Sequence, residues 1–300
     1  MRMLLTGRNG QVGWELQRAL APLGEVIALD RSQLDLDAAD SITRAVRDAQ
    51  PDIIVNAAAY TAVDRAESEP EVAMRVNGVA PGILAEEACR LGALLVHYST
   101  DYVFDGAKPH AYVEDDVPAP INEYGRSKLA GEQAIRASDG AYYIFRTSWV
   151  YAARGSNFMR TILRLARERD ELRIVADQMG APTSARAIAD MTAQVLAAGG
   201  VRERTGLYHF TAAGAVSWCG FAQAILKRAP AVYPDMKIPR VIPIPSSEYP
   251  LPARRPRNSR LDASRLAAAF GVVAQDWDDM LGNCMQEMAT GTPVEPAARA

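Results

Sequence analysis

The sequence predicts a doubly wound α/β fold, with a parallel central sheet covered by helices and a smaller C-terminal α/β lobe. Three observations predict it. Short runs that are apolar at every residue alternate with longer amphipathic stretches through the first half of the chain. Strands without polar alternation need cover on both faces, and intervening helices supply it. Three glycines, Gly7, Gly10 and Gly13, fall where the first strand hands over to the first helix. After Trp149 the alternation loosens and proline becomes frequent.

The elements follow in order. Met3-Leu4-Leu5 reads as a buried strand and Gln11 to Leu20 as a helix. Val26 to Leu29 is a second strand. Ser41 to Asp48 is a helix, with Asp40 or Ser41 placed to cap it. Ile53 to Val55 is a third strand. Glu71 to Arg90 reads as one long helix, which Pro81-Gly82 can kink. Ala93 to His97 is a fourth strand, Glu123 to Ala137 a helix and Tyr142 to Phe145 a fifth strand. Leu172 to Val175 reads as a sixth, followed by a helix from Ser184 to Ala197. Leu207 to Phe210 and a helix from Ser217 to Arg228 come next, then a proline-rich stretch, 230–256, expected as extended loops. This divides the chain into residues 1–149, with a return at about 170–200, and a lobe over 150–290. Residues 291–300 read as a disordered tail.

The 300 residues are 49% hydrophobic and 23% charged, with a net charge of −3. A chain this long buries a sizeable core without staples. The charge balance calls for neither nucleic acid nor an anionic membrane. Cys89, Cys219 and Cys284 form no metal spacing and no disulfide framework, so each reads as a small buried hydrophobe in a reducing, cytoplasmic setting. The apolar run at the N-terminus is too short for a signal peptide, and no run reaches transmembrane length. His97, His110 and His209 are scattered without a metal-ligand spacing, and no metal site is expected.

Thr6-Gly7-Arg8-Asn9-Gly10-Gln11-Val12-Gly13 carries the first chemistry. Gly7 permits a tight turn, Gly10 lets backbone approach a pyrophosphate, and Gly13 lets the helix pack close to the sheet. The helix N-terminus adds free N–H groups and a partial positive charge. Three glycines so spaced arise by chance in roughly one such chain in ten, but their place at the first strand–helix junction is where a dinucleotide belongs. Asp30, about 20 residues on, is placed to accept hydrogen bonds from an adenosine ribose, which favours NADH. Arg31 beside it favours the 2′-phosphate of NADPH instead. The cofactor is therefore expected to be NADPH or NADH.

Tyr124-Gly125-Arg126-Ser127-Lys128 places a phenol and an ammonium at i and i+4, on one helix face. A nearby lysine cation is expected to lower the phenol's pKa and let it act as a general acid toward a carbonyl oxygen. With 11 tyrosines and four lysines, this spacing is expected by chance only roughly 0.15 times. Ser99-Thr100-Asp101 follows the fourth strand, at the end that lines the crevice of this fold. A hydroxyl there is placed to share a substrate carbonyl's hydrogen bond with Tyr124. A Ser-Thr pair alone is more often a turn or cap; with the glycines and the Tyr–Lys pair it reads as active site. Arg254, Arg255 and Arg257 read equally as a diphosphate clamp or a solvated loop.

In this order the glycine motif, Asn56-Ala57-Ala58-Ala59, the hydroxyl after strand four and Tyr-x-x-x-Lys resemble the Rossmann-like extended short-chain dehydrogenase/reductase superfamily. From Met1 to about Met288 the chain is similar to its dTDP-4-dehydrorhamnose reductase family. More specific marks are Tyr60-Thr61-Ala62-Val63-Asp64, residues 99–106, Tyr124-Gly125-x-Ser127-Lys128-x-x-Gly131-Glu132, residues 146–151, residues 180–183 and Arg255-Pro256-x-Asn258-Ser259-x-Leu261.

The resemblance implies hydride transfer from NADPH or NADH to C4 of a dTDP-4-dehydro-sugar, dTDP-4-dehydro-L-rhamnose. Tyr124 would protonate O4, Lys128 would hold the nicotinamide ribose, and Thr100, Asp101 and Trp149 would meet the sugar. Gly10, Gln11, Val12, Asp30, Asp35, Leu36, Ala59, Tyr60, Thr61 and Tyr98 fall on cofactor-contact positions. Position 60, often His in the family, is Tyr here. Some members dimerise through magnesium held by glutamates, so a homodimer is possible; Glu15 matches one ligand, but Arg186 falls where another would be, and no metal is carried over. A 4,6-dehydratase would need a second carboxylate after Asp101, where Tyr102 stands, and the 99–104 block suits a 4-epimerase less well. A non-catalytic regulatory relative needs the fold without turnover; the intact Thr100, Tyr124 and Lys128 argue against it.

Overall fold

The computed structural model describes residues 1–200 and 203–290; the tail expected at 291–300 lies outside them. Six parallel strands form the central sheet. β1 (Arg2–Thr6) lies between β2 (Glu25–Leu29) and β3 (Ile53–Asn56), and β4 (Leu94–Thr100), β5 (Ala141–Thr147) and a Gly206–His209 strand continue outward from β3. The chain leaves β1 in one direction and returns on its other side at β3. That reversal opens a crevice at the carboxyl ends of β1 and β3, where ligands bind in open α/β sheets.

The strands are apolar throughout because both faces are covered. Met3, Leu5, Val55, Val96 and Phe145 pack on one side with residues of helix α1 (Gln11–Leu20) and of the Ala185–Ala197 helix. Leu4, Ile54, Leu95 and Ile144 pack on the other with residues of helix α2 (Ala39–Ala49), the Ala80–Leu91 helix and Ile135 of the Glu123–Arg136 helix. A separate core, built around Met159, Phe221, Ile225 and Leu281, holds the Phe158–Glu168, Trp218–Arg228 and Trp277–Ala289 helices together.

Several expectations are corrected. Neither Asp40 nor Ser41 caps α2. Ala38 occupies that position without a side-chain bond, and the Ser41 hydroxyl instead accepts from the Asp35 N–H at 3.0 Å. The long helix at 71–90 is three pieces, Pro70–Met74, a π turn at Arg75–Val79 and Ala80–Leu91. The break is the π turn, a form that is rare and appears mostly as a single turn inside an α-helix; Pro81 sits in the first turn of the next piece, where a missing N–H costs nothing. The strand expected at Leu172–Val175 is Glu171–Val175, and it lies outside the central sheet, paired in parallel with Arg240–Ile244 from within the proline-rich stretch. Pro243 is tolerated there because a two-stranded ribbon has open edges. Cys89 is exposed, whereas Cys219 and Cys284 are buried as expected. No helix among the described residues is long and apolar enough to cross a membrane.

Candidate active site

Gly7 takes the left-handed conformation, with φ +72°, and a Cβ there would lie 2.9 Å from the Ala58 backbone. A Cβ on Gly13 would sit 2.1 Å from the Gly7 carbonyl oxygen. The loop therefore folds tightly onto both β3's exit and α1. Gly10 starts α1 without any side-chain cap, so the first N–H groups of the helix stay free for an anion. Thr6 donates to Asn56 Oδ1 at 2.7 Å and accepts from the Ala58 N–H at 3.2 Å, tying the ends of β1 and β3 together across the crevice.

Asp30 follows β2 and accepts from the Ser32 N–H and hydroxyl at 3.0 and 2.6 Å. These bonds, with the Arg8 charge, hold its carboxyl below the usual range. Arg8, inside the glycine loop, lies 3.2 Å from Asp30; sequence reasoning missed it because only the fold brings residue 8 beside residue 30. Arg31 pairs instead with Asp35 at 3.4 Å. Gln11 accepts from Asn157 at 2.8 Å, Val12 packs against the core, and Leu36 is buried in the opposite core. Asn77, also missed, brackets Tyr60, accepting from its N–H and donating to its carbonyl, both at 2.9 Å. The Tyr60 hydroxyl donates to Glu69 at 2.7 Å, while Ala59 and Thr61 are partly or fully exposed beside it. Tyr98 turns its ring away from the crevice: its hydroxyl bonds Thr192 at 2.7 Å, and only its carbonyl faces Lys128.

The Tyr–Lys helix begins at Asn122, whose side chain caps it by accepting from the Gly125 N–H at 2.7 Å. Gly125 is obligatory because a Cβ would sit 2.2 Å from the Tyr102 carbonyl oxygen. That close approach sets Tyr124 against the end of β4, beside Thr100, and Tyr102 packs edge-on against it at 5.8 Å. Burial pushes the Tyr124 phenol up to about 12, with the neighbouring Thr100 hydroxyl opposing the rise. This corrects the expectation that Lys128 lowers it. The Lys128 ammonium is directed to the Tyr98 carbonyl at 2.7 Å and His97 Nε2 at 3.2 Å. Burial brings Lys128 itself down to about 8. Asp101 accepts from Thr100 at 3.1 Å, and burial raises its carboxyl to about 7.

Trp149 follows β5 with φ +48°, an unusual conformation for a bulky residue. Its ring stacks on Trp218 at 3.5 Å and fits only because residue 180 is glycine. The arginine trio resolves unevenly. Arg255 grips Asp64 through two bonds of 3.0 and 2.8 Å, whereas Arg254 and Arg257 are exposed. Glu15 and Arg186 line a cavity of about 520 Å³, and Arg186 pairs there with Glu287 at 3.4 Å. No group of three or more His, Cys, Asp or Glu among the described residues is arranged to hold a metal ion.

A parallel sheet puts all its carboxyl ends at one edge. Gly7, Asp30, residues 57–61, Thr100-Asp101 and Trp149 follow five neighbouring strands, so the glycine turn and the Tyr124–Thr100 pair share that edge. Known proteins share the layout. The model of the RmlD substrate binding domain matches residues 1–290. The dTDP-4-dehydrorhamnose reductase of Burkholderia thailandensis is 52% identical, covering 96% of this chain and 99% of that protein. The Escherichia coli K12 reductase is 44% identical, covering 98% and 100%. The crystal structure of dTDP-4-dehydrorhamnose reductase from Bacillus anthracis in complex with NADP is 36% identical with a TM-score of 0.87, covering 95% of this chain and 99% of that one. A Thermus thermophilus UDP-glucose 4-epimerase complex with NAD, at 21% identity and TM-score 0.76, shares the fold. The chain belongs to the dTDP-4-dehydrorhamnose reductase family.

Proposed function

We propose that this protein reduces dTDP-4-dehydro-L-rhamnose to dTDP-L-rhamnose, with hydride arriving at C4 from NADPH or NADH and Tyr124 giving the proton to O4. The observation that carries the reading is the half-buried Tyr124 phenol, set beside Thr100 on the same sheet edge as the glycine turn. A phenol raised to about 12 is fully protonated near neutrality, as a proton donor must be.

The residues present fit a dinucleotide. The uncapped start of α1 and the glycine cradle suit a pyrophosphate. Asp30 suits a ribose and Arg8 a 2′-phosphate, so both cofactor forms find a partner. Gln11, Val12, Asp35, Ala59, Tyr60 and Thr61 border that path, and the reduced nicotinamide supplies the hydride. Lys128 holds the nicotinamide ribose beside Tyr124 in this reading. Thr100 orients the phenol, and Asp101 and Trp149 meet the sugar. With its carboxyl near 7, Asp101 can donate as well as accept a hydrogen bond at neutral pH.

The test is cofactor oxidation by purified protein with dTDP-4-dehydro-L-rhamnose, followed by the absorbance of the reduced nicotinamide. Turnover yielding dTDP-L-rhamnose is expected. Absence of turnover with both NADPH and NADH sinks the proposal, and epimerised product without net cofactor oxidation replaces it with an epimerase.

A further inference from the structure

A row of three polar side chains crosses the sheet in register. Thr6 on β1 pairs with Asn56 on β3, and Asn56 pairs with His97 on β4. Register partners in a parallel sheet face the same side. Two residues earlier on the same strands stand Leu4, Ile54 and Leu95, all core. Thr6, Asn56 and His97 are each only 1% exposed. The row is continuous. Thr6 Oγ1 meets Asn56 Oδ1 at 2.7 Å, Asn56 Nδ2 meets His97 Nδ1 at 3.0 Å, and His97 Nε2 meets Lys128 Nζ at 3.2 Å. Burying such a row costs desolvation that aliphatic side chains would avoid.

We infer that His97, held by Asn56 and Thr6, is a positioning residue that fixes the place and charge of Lys128 and links it to the glycine turn. This rests on the reading of Lys128 as part of the reductase site.

The chemistry follows from the two ring nitrogens. A neutral imidazole has one donor and one acceptor. Burial and the Lys128 charge hold His97 well below its usual range, so it stays neutral. With Lys128 as ammonium, Nε2 accepts and Nδ1–H donates, and the Asn56 amide must present its oxygen. With Lys128 as free amine, Nε2–H donates to Nζ, and the Asn56 NH₂ faces Nδ1, which is the amide orientation the structure has. Passing from the first state to the second moves a Lys128 proton to Nε2 and releases the Nδ1 proton to solvent, a net loss of one. The amide flip then alters the bond offered to Thr6, which also receives the Ala58 N–H beside Gly7. The titratable groups acting on Lys128 are His97 from β4 and Glu132, one turn along its own helix.

Two measurements test this. The first needs no turnover: imidazole ¹⁵N shifts of the three histidines in labelled protein, with His97 assigned by its loss in His97→Gln. His97 is expected to remain neutral and to exchange its Nδ1–H tautomer for Nε2–H as pH rises through about 8, with Lys128→Met abolishing the change. A single tautomer, unmoved by pH and by Lys128→Met, overturns the inference. The second is the pH profile of kcat/KM. His97→Leu removes the acceptor that favours the ammonium, so the high-pH limb is expected to move down by about one unit, with His97→Gln restoring most of it. Superimposable profiles for the parent and His97→Leu overturn the inference. Absence of turnover combined with a titrating His97 tautomer would sink the reductase reading and leave the coupling intact.

Discussion

Two buried cations lie close to the carboxyl end of β4, and they keep different company. Arg146 is 1% exposed and Lys128 2%. Arg146, on β5, makes a two-bonded pair with Glu132 at 2.9 and 2.6 Å. Ser99 donates to the same carboxylate at 2.5 Å, and Phe104 faces the guanidinium at 5.0 Å. Lys128 has only a carbonyl and an imidazole, with no carboxylate in ion-pair range among the described residues. Glu132 lies one turn away, but Arg146 has claimed it. A buried cation with its own carboxylate ties structure together. One left with neutral partners bears an unrelieved desolvation cost, and such groups concentrate at functional sites. If the contrast is right, substitutions at the two places fail in different ways.

The largest expected effect is on chemistry, at the Lys128 end. Tyr124→Phe removes the transferable proton and keeps the ring that Tyr102 packs against. Turnover should fall by about 10²–10⁴-fold. Cofactor affinity, read by fluorescence quenching, and the unfolding midpoint should barely move. Retained activity would take the proton-donor role away from Tyr124.

At the structural end, Arg146→Met leaves Glu132 buried without its counter-charge. The expected loss in stability is about 3–5 kcal/mol by denaturant unfolding. Adding Glu132→Leu should recover much of it, because the stranded charge goes too. A double variant as unstable as the single would show that packing, not charge, sets the cost.

Lys128→Met should behave in the opposite sense: less active yet no less stable at pH 7. The pKa of Lys128 falls from an ordinary 10.5 to about 8 on folding. The unfolded chain therefore binds more protons between those values. The parent's stability from this group rises with pH across that window, by up to about 3 kcal/mol at 1.36 kcal/mol per pH unit. The variant's advantage at pH 7 should shrink as pH climbs from about 8 to 10.5. A flat difference between the two unfolding curves would show that burial does not depress Lys128.

The same contrast marks what the sequence could tell. Local patterns were legible: α1 runs from Gln11 to Leu20 as its periodicity predicts, and the glycine turn precedes it. The order of Gly7, Thr100, Tyr124 and Lys128 was legible too, because a parallel sheet converts order along the chain into neighbours along one edge. Partners set by the sheet's cross-section were not. Tyr124 and Lys128 at i and i+4 invited the expectation that one charge tunes the other, yet Lys128 is drawn to Tyr98 and His97 on β4. Likewise Leu172–Val175 reads as a strand, but nothing local says that its neighbour is Arg240–Ile244 rather than the central sheet. Cys89 reads as core and proves exposed because it stands on the outer face of its helix.

The smallest expected effect extends the comparison to the surface. Arg8 and Asp30 lie 3.2 Å apart in high dielectric, their side chains 41% and 21% exposed. An exposed ion pair there adds little to stability, so neither Arg8→Ala nor Asp30→Ala should shift the unfolding midpoint appreciably. Their effect should appear in cofactor discrimination. Arg8→Ala removes a cation placed for a 2′-phosphate and should raise KM for NADPH several-fold more than KM for NADH, since a charge-assisted bond contributes about 1.5–3 kcal/mol before screening. Asp30→Ala removes the ribose acceptor and should do the reverse. Measuring both variants with both cofactors closes the cycle. Equal losses in all four combinations would mean that the pair shapes the loop rather than reads the ribose. Opposite preferences would show that this exposed pair, nearly irrelevant to folding, accommodates either cofactor: Arg8 meets a phosphate where Asp30 would repel it.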